Sequence, residues 1–95
     1  MFEVIDLVVM KAKDDIFEKY GWKVRVKDTN TNKNFTVKCF IRKMDRALLC
    51  TTIPDNYYID NSDDEIEEMV RDYLIDQQET YMGEDGDFYL VGEDQ

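Results

Sequence analysis

The chain has no histidine, one proline, one serine and four glycines. Each scarcity excludes something. Without histidine the usual general base near neutral pH is missing, and so is the commonest metal ligand. The one serine, Ser62, sits where a helix cap is wanted. The two cysteines, Cys39 and Cys50, are too few for a zinc site without histidine. They read as small buried hydrophobes, not as a disulfide framework. No glycine-rich phosphate loop is present. No catalytic residue, metal site or cofactor is therefore assigned, and the chain is expected not to be an enzyme.

Long apolar runs are missing too. Leu7–Met10 and Ala47–Cys50 are four residues each, against the ~20 needed to cross a bilayer as a helix. The first residues include Glu3 and Asp6, not the basic start of a secretion signal. A cytoplasmic protein is expected. With Pro54 as its lone proline, no linker and no repeat, the 95-residue chain reads as one domain over 1–95.

Apolar residues are plentiful, at 43% with five Phe, six Tyr and one Trp, which favours a folded domain. The net charge of −10 conceals an asymmetry. Residues 1–50 carry 11 Lys+Arg and 7 Asp+Glu; residues 51–95 carry Arg71 alone against 15 Asp+Glu. Such a split marks interaction surfaces, or simply solubility and pairing between the halves.

Periodicity supplies the elements. Phe2, Ile5, Val9, Ala12, Ile16 and Tyr20 recur at three and four, predicting a helix over 2–20 that ends at Gly21. The competing reading is a strand at 2–10 followed by a short helix near 12–20, since Val4, Ile5, Val8 and Val9 are β-branched. Trp22, Val24 and Val26 alternate with Lys23, Arg25 and Lys27, then the loop from Asp28 to Asn34 leads to Phe35, Val37, Cys39 and Ile41. This is a hairpin with one apolar face; its other face carries Lys23, Arg25, Lys27, Lys38 and Arg42. Ala47–Ile53 gives a third strand, stopped by Pro54. Ser62 and Glu65 fit a capping box, and Ile66, Met69, Val70, Tyr73 and Leu74 form the stripe of a second helix, with Gly83 as terminator. Phe88–Val91, flanked by Gly86, Gly92 and acids, reads as a short edge strand. The expected fold class is α+β: an N-terminal helix, a three-stranded antiparallel meander, a C-terminal acidic helix and a short final strand in a two-layer sandwich.

The acids are the strongest candidate surface. Nine lie between positions 60 and 79. Asp64–Glu68, Glu68–Asp72 and Asp72–Asp76 form an i,i+4 ladder of like charge, each step costing a few tenths of a kcal/mol. Only Arg71, through Glu67, relieves it. On a helix the acids fall about one per 3.3 Å, near the ~3.4 Å per charge of one DNA strand. A cationic partner is implied, with Asp63, Asp64, Glu67, Glu68, Asp72, Asp76 and Glu79 as its contacts. Tyr57, Tyr58 and Tyr81 flank them as candidate anchors, unless they only cap the core. The stretch from Asp60 lacks the glycine and glutamate positions of a calcium loop.

The expected order of helix, three strands and helix resembles that of double-stranded-RNA-binding domains. Their second helix opens on lysines, whereas Ser62-Asp63-Asp64-Glu65 stands there in this chain. With the overall charge, that argues against direct nucleic-acid binding. The segments WKVRVKDTNTNKNFTVKCFI and DNSDDEIEEMVRDYLID, about two fifths of the chain, also resemble small phage-encoded inhibitors of the DNA-mimicking anti-CRISPR type. That resemblance implies a non-enzymatic protein in the host-cell cytoplasm whose acidic surface occupies a basic, nucleic-acid-binding site on a partner protein. The alternative is a small assembly subunit, a homo-oligomer in which the basic hairpin of one copy meets the acidic helix of another.

Overall fold

Strand propensity wins at the N-terminus. The computed structural model describes residues 1–91, so Gly92 and the acids after it lie outside the described residues. Phe2–Lys11 forms strand β1 and Phe17–Asp28 forms β2, paired antiparallel from Phe2 opposite Asp28 to Lys11 opposite Tyr20. The helix expected over 2–20 is therefore absent, and so is the short helix near 12–20. The residues at helical spacing share no buried face: Ile5, Val9, Ile16 and Tyr20 are exposed. A β-bulge between Val4 and Asp6 adds a residue to β1, so the core-side positions run Phe2, Val4, Leu7. With no N-terminal helix the chain also lacks the element order of double-stranded-RNA-binding domains.

β3 (Lys33–Arg42) and β4 (Leu48–Thr51) continue the meander, giving one four-stranded antiparallel sheet in the order β1-β2-β3-β4. Gly21 ends no helix. It lies within β2 opposite Phe40, where a Cβ would come 2.4 Å from both the Phe40 ring and the Cys39 carbonyl oxygen. Glycine is required there for close approach, not for a cap.

After Pro54 a single turn, α1 (Asn56–Ile59), precedes the main helix α2 (Ser62–Asp76). The capping box is not formed. Asn61 precedes the helix in the left-handed region, and Asp60 accepts the Ser62 amide at 3.0 Å. The helix also stops before Gly83. Gln78 takes the left-handed position, and the Glu79 amide donates back to the Leu74 carbonyl at 3.0 Å. That is a Schellman-type ending built without glycine. Gly83 belongs instead to the turn between β5 (Thr80–Met82) and β6 (Phe88–Leu90), which form a separate two-stranded ribbon.

The core lies between the sheet and α2. Trp22, Val24, Val26, Val37, Cys39 and Ile41 from the sheet meet Ile66, Val70 and Leu74 from the helix, with Phe88 and Leu90 closing one end. Each fully buried aliphatic side chain contributes ~1.5–3 kcal/mol. The result is mostly β. No helix among the described residues is long and apolar enough to cross a membrane.

Candidate functional site

Burying Ile66, Val70 and Leu74 against the sheet fixes how α2 presents its acids. At 100° per residue the opposite side of the helix carries Asp64, Glu68, Asp72 and Asp76, and all four are exposed. The like-charge ladder is therefore the solvent-facing crest. On the flank toward β1, Glu65, Glu68, Asp72 and Asp76 rim a groove of about 620 Å³ floored by Val4, Met69 and Tyr73. Glu65, Met69 and Tyr73 were absent from the expected contacts because the sequence places them as a cap and as core. The groove exists only because β1 runs beside the helix.

The other flank holds Asp63, Asp64 and Glu67, whose carboxylate oxygens lie within 4.8 Å of one another. Partial burial, then the charges of Asp63 and Asp64, push the Glu67 carboxyl above its usual range, and Arg71 opposes the shift. Three oxygen donors could take a hard cation. They are also the ordinary consequence of acids gathering in a helix's first turn, so no metal is assigned. Tyr58 is exposed beside this group; burial, then Glu67 and Asp63, raise its phenol pKa.

Three of the expected contacts belong elsewhere. Tyr57 is buried, and its hydroxyl donates to Asp28 at 2.8 Å. Phe2 and Phe35 pack on its ring with centroids 5.3 and 5.1 Å away. It is a core residue that ties α1 to the end of β2. Glu79 lies beyond the helix and accepts the indole N–H of buried Trp22 at 3.1 Å, the partner such a tryptophan needs. Tyr81 is exposed on the ribbon, stacked on Tyr89, with Arg46 over the Tyr89 ring at 4.5 Å. The surface that remains together is Asp63, Asp64, Glu67, Glu68, Asp72, Asp76 and Tyr58, joined by Glu65.

The basic face lies on the other side of the sheet. Lys23, Arg25 and Lys27 alternate with the buried Trp22, Val24 and Val26, so they point away from α2. The ion pairs on that side are local: Arg25 with Asp6 at 2.6 Å, and Arg42 with Asp45 at 2.5 Å. Among the described residues none joins α2 to the sheet cations. The two cysteines are neighbours in the sheet, and the Cys39 contact lowers the Cys50 thiol pKa against burial. Cys39 and Cys50 face each other across β3 and β4 with Sγ atoms 3.8 Å apart, and the Cys50 contact together with burial pushes the Cys39 thiol far up. Such a thiol stays protonated and inert. Comparison with protein-family models, with curated proteins and with solved structures gives no match for this chain.

Proposed function

We propose that this chain is a non-enzymatic binding protein whose acidic helix face occupies a basic, nucleic-acid-binding site on a partner protein, in the manner of the phage-encoded inhibitors its segments resemble. One observation carries the reading. Asp64, Glu68, Asp72 and Asp76 form an exposed like-charge ladder, and among the described residues no ion pair joins it to a cation of the sheet. A surface selected for stability alone would intersperse lysines. The groove beside the ladder adds an apolar floor at Met69 and Tyr73, so a docked cationic side chain can bury its stem as well as pair its head.

The test starts with affinity purification from cells that naturally make the protein. Glu68→Lys, Asp72→Lys and Asp76→Lys together should weaken the recovered partner's binding at low salt by more than ~100-fold, since rim and buried charge pairs are worth up to several kcal/mol in sum. Unchanged affinity in the triple variant sinks the proposal.

The assembly reading gains one observation. The charged faces lie on opposite sides of a two-layer molecule, so a basic-on-acidic contact between copies is head-to-tail and open-ended. Sedimentation separates it from the first reading: a filament that grows at low salt and dissolves at high salt favours assembly, and a salt-insensitive monomer excludes it.

A further inference from the structure

The open face of the sheet is more than a row of solvated cations. Lys23 and Lys38 stand directly opposite each other in the β2–β3 register. Like charges at that position destabilise a sheet, and neither has an ion-pair partner among the described residues. Two pairs along, on the same face, Gly21 opposes Phe40, and the missing Cβ lets the Phe40 ring lie over the backbone. Phe17 stacks on Phe40 with centroids 5.1 Å apart and planes 26° apart. Both rings line a depression of about 270 Å³ with Met10, Lys11, Lys13 and Lys38. The acid in its lining, Asp14, is engaged by the Ile16 amide at 3.1 Å.

A half-buried aromatic pair ringed by lysines that have no ion-pair partner among the described residues fits a ligand with flat apolar rings and regularly spaced negative charge. We infer that this face binds single-stranded nucleic acid, bases stacking on Phe17 and Phe40 and phosphates meeting Lys11, Lys13, Lys23 and Lys38. Stacking tolerates any base, and lysines track a backbone without reading sequence. The net charge of −10 opposes such binding only when averaged over the chain. The ladder acids sit beyond the sheet and a helix ~10–12 Å across, so roughly two Debye lengths of ~8 Å screen them from the open face at physiological salt. The face is distinct from the acidic helix surface, so this inference stands or falls separately from the proposed function.

The test is fluorescence anisotropy of the full chain with a labelled twelve-nucleotide oligo(dT), against the same length of duplex DNA. Three to four phosphate contacts predict a ~20- to 50-fold loss of affinity between 50 and 200 mM salt. Lys23→Gln with Lys38→Gln should remove two contacts and reduce the log–log salt slope by about 1.4. Phe40→Leu should weaken binding ~5-fold or more with the slope unchanged, because it removes stacking and no charge. Asp72→Asn on the far face should leave the affinity within about twofold. Lys23 is exposed and Lys38 half-buried, and glutamine keeps much of each aliphatic stem while relieving their repulsion, so the lysine variant decides even if Phe40→Leu unfolds. No binding to oligo(dT) at 50 mM salt overturns the inference. So does equal affinity for duplex, or a salt slope unmoved by the lysine substitutions.

Discussion

The two faces of this protein hold opposite charge for different structural reasons. On α2 acids occupy the positions the core does not claim, apart from Ser62 and Arg71, and successive carboxylates one turn apart repel along the crest. On the sheet the cations alternate with buried aliphatics, and part of their charge is cancelled locally, Arg25 by Asp6 and Arg42 by Asp45. The helix crest is thus continuous, with Arg71 on its flank as the one cation of α2, while the sheet face is patchy, with lysines gathered beside Phe17 and Phe40. A surface left unneutralised at a cost in stability is the one to test for a partner. By that criterion the whole helix crest qualifies, and on the sheet only the end around Lys23 and Lys38.

Changes at five positions test that contrast. The largest effect should come from Leu74→Ala, which empties a fully buried site between the layers. It should cost ~2–5 kcal/mol in denaturant unfolding and weaken both faces together, since one core positions both. Gly21→Ala drives a methyl into the Phe40 ring and the Cys39 carbonyl. A loss of ~1–3 kcal/mol is expected, with oligonucleotide binding affected and the acidic face untouched; a neutral result would show that the ring moves freely.

Tyr57→Phe removes the hydroxyl that Asp28 accepts. That hydrogen bond, then the amides of Asn30 and Thr31, hold the Asp28 carboxyl below its usual range against burial. A depressed carboxylate stabilises the fold above its unfolded pKa of ~3.9 and loses that contribution as pH falls through the folded value. The melting temperature of Tyr57→Phe should therefore lie below that of the parent at pH 7, with the gap closing below about pH 4. A gap constant with pH would assign the effect to packing alone.

The smallest effects carry the sharpest contrast, because they stabilise. Asp72→Asn removes two i,i+4 repulsions, with Glu68 and Asp76. It should raise stability by ~0.4–1 kcal/mol at low ionic strength and less in salt, while weakening capture of a cationic partner. Lys38→Thr relieves the cross-strand pair with Lys23. A gain of a few tenths of a kcal/mol is expected in thermal melts, together with weaker oligonucleotide binding. If either change destabilises, its charge is engaged within the fold and that face is not held open for a partner.

Legibility in the sequence followed the regularity of each segment. The hairpin of β2 and β3 was readable because Trp22, Val24 and Val26 and then Phe35, Val37, Cys39 and Ile41 alternate without interruption. In the N-terminal segment the spacing of Phe2, Ile5, Val9, Ala12, Ile16 and Tyr20 points to a helix and the β-branched Val4, Ile5, Val8 and Val9 point to a strand; pairing with β2 decides for the strand and leaves Ile5, Val9, Ile16 and Tyr20 exposed. Helix α2 is legible from Ile66, Val70 and Leu74, and so is its start at Ser62, but not its capping or its end at Asp76. Asn61 and Gln78 take left-handed conformations that local propensity assigns to glycine. The acid crest was visible as a ladder of four-residue spacing. Tyr57 and Glu79 were mistaken for surface contacts because their partners, Asp28 and Trp22, lie 29 and 57 positions away.

The sequence by itself determined the division of charge between the two halves, the alternation that sends Lys23, Arg25 and Lys27 to one side of a strand, and the ladder along α2. Those are consequences of spacing, and spacing is local. Only the tertiary structure decided that the two charges do not meet. The helix must bury Ile66, Val70 and Leu74, and the one apolar surface able to receive them is the Trp22 side of the sheet. Hydrophobic burial therefore points the acids one way and the cations the other.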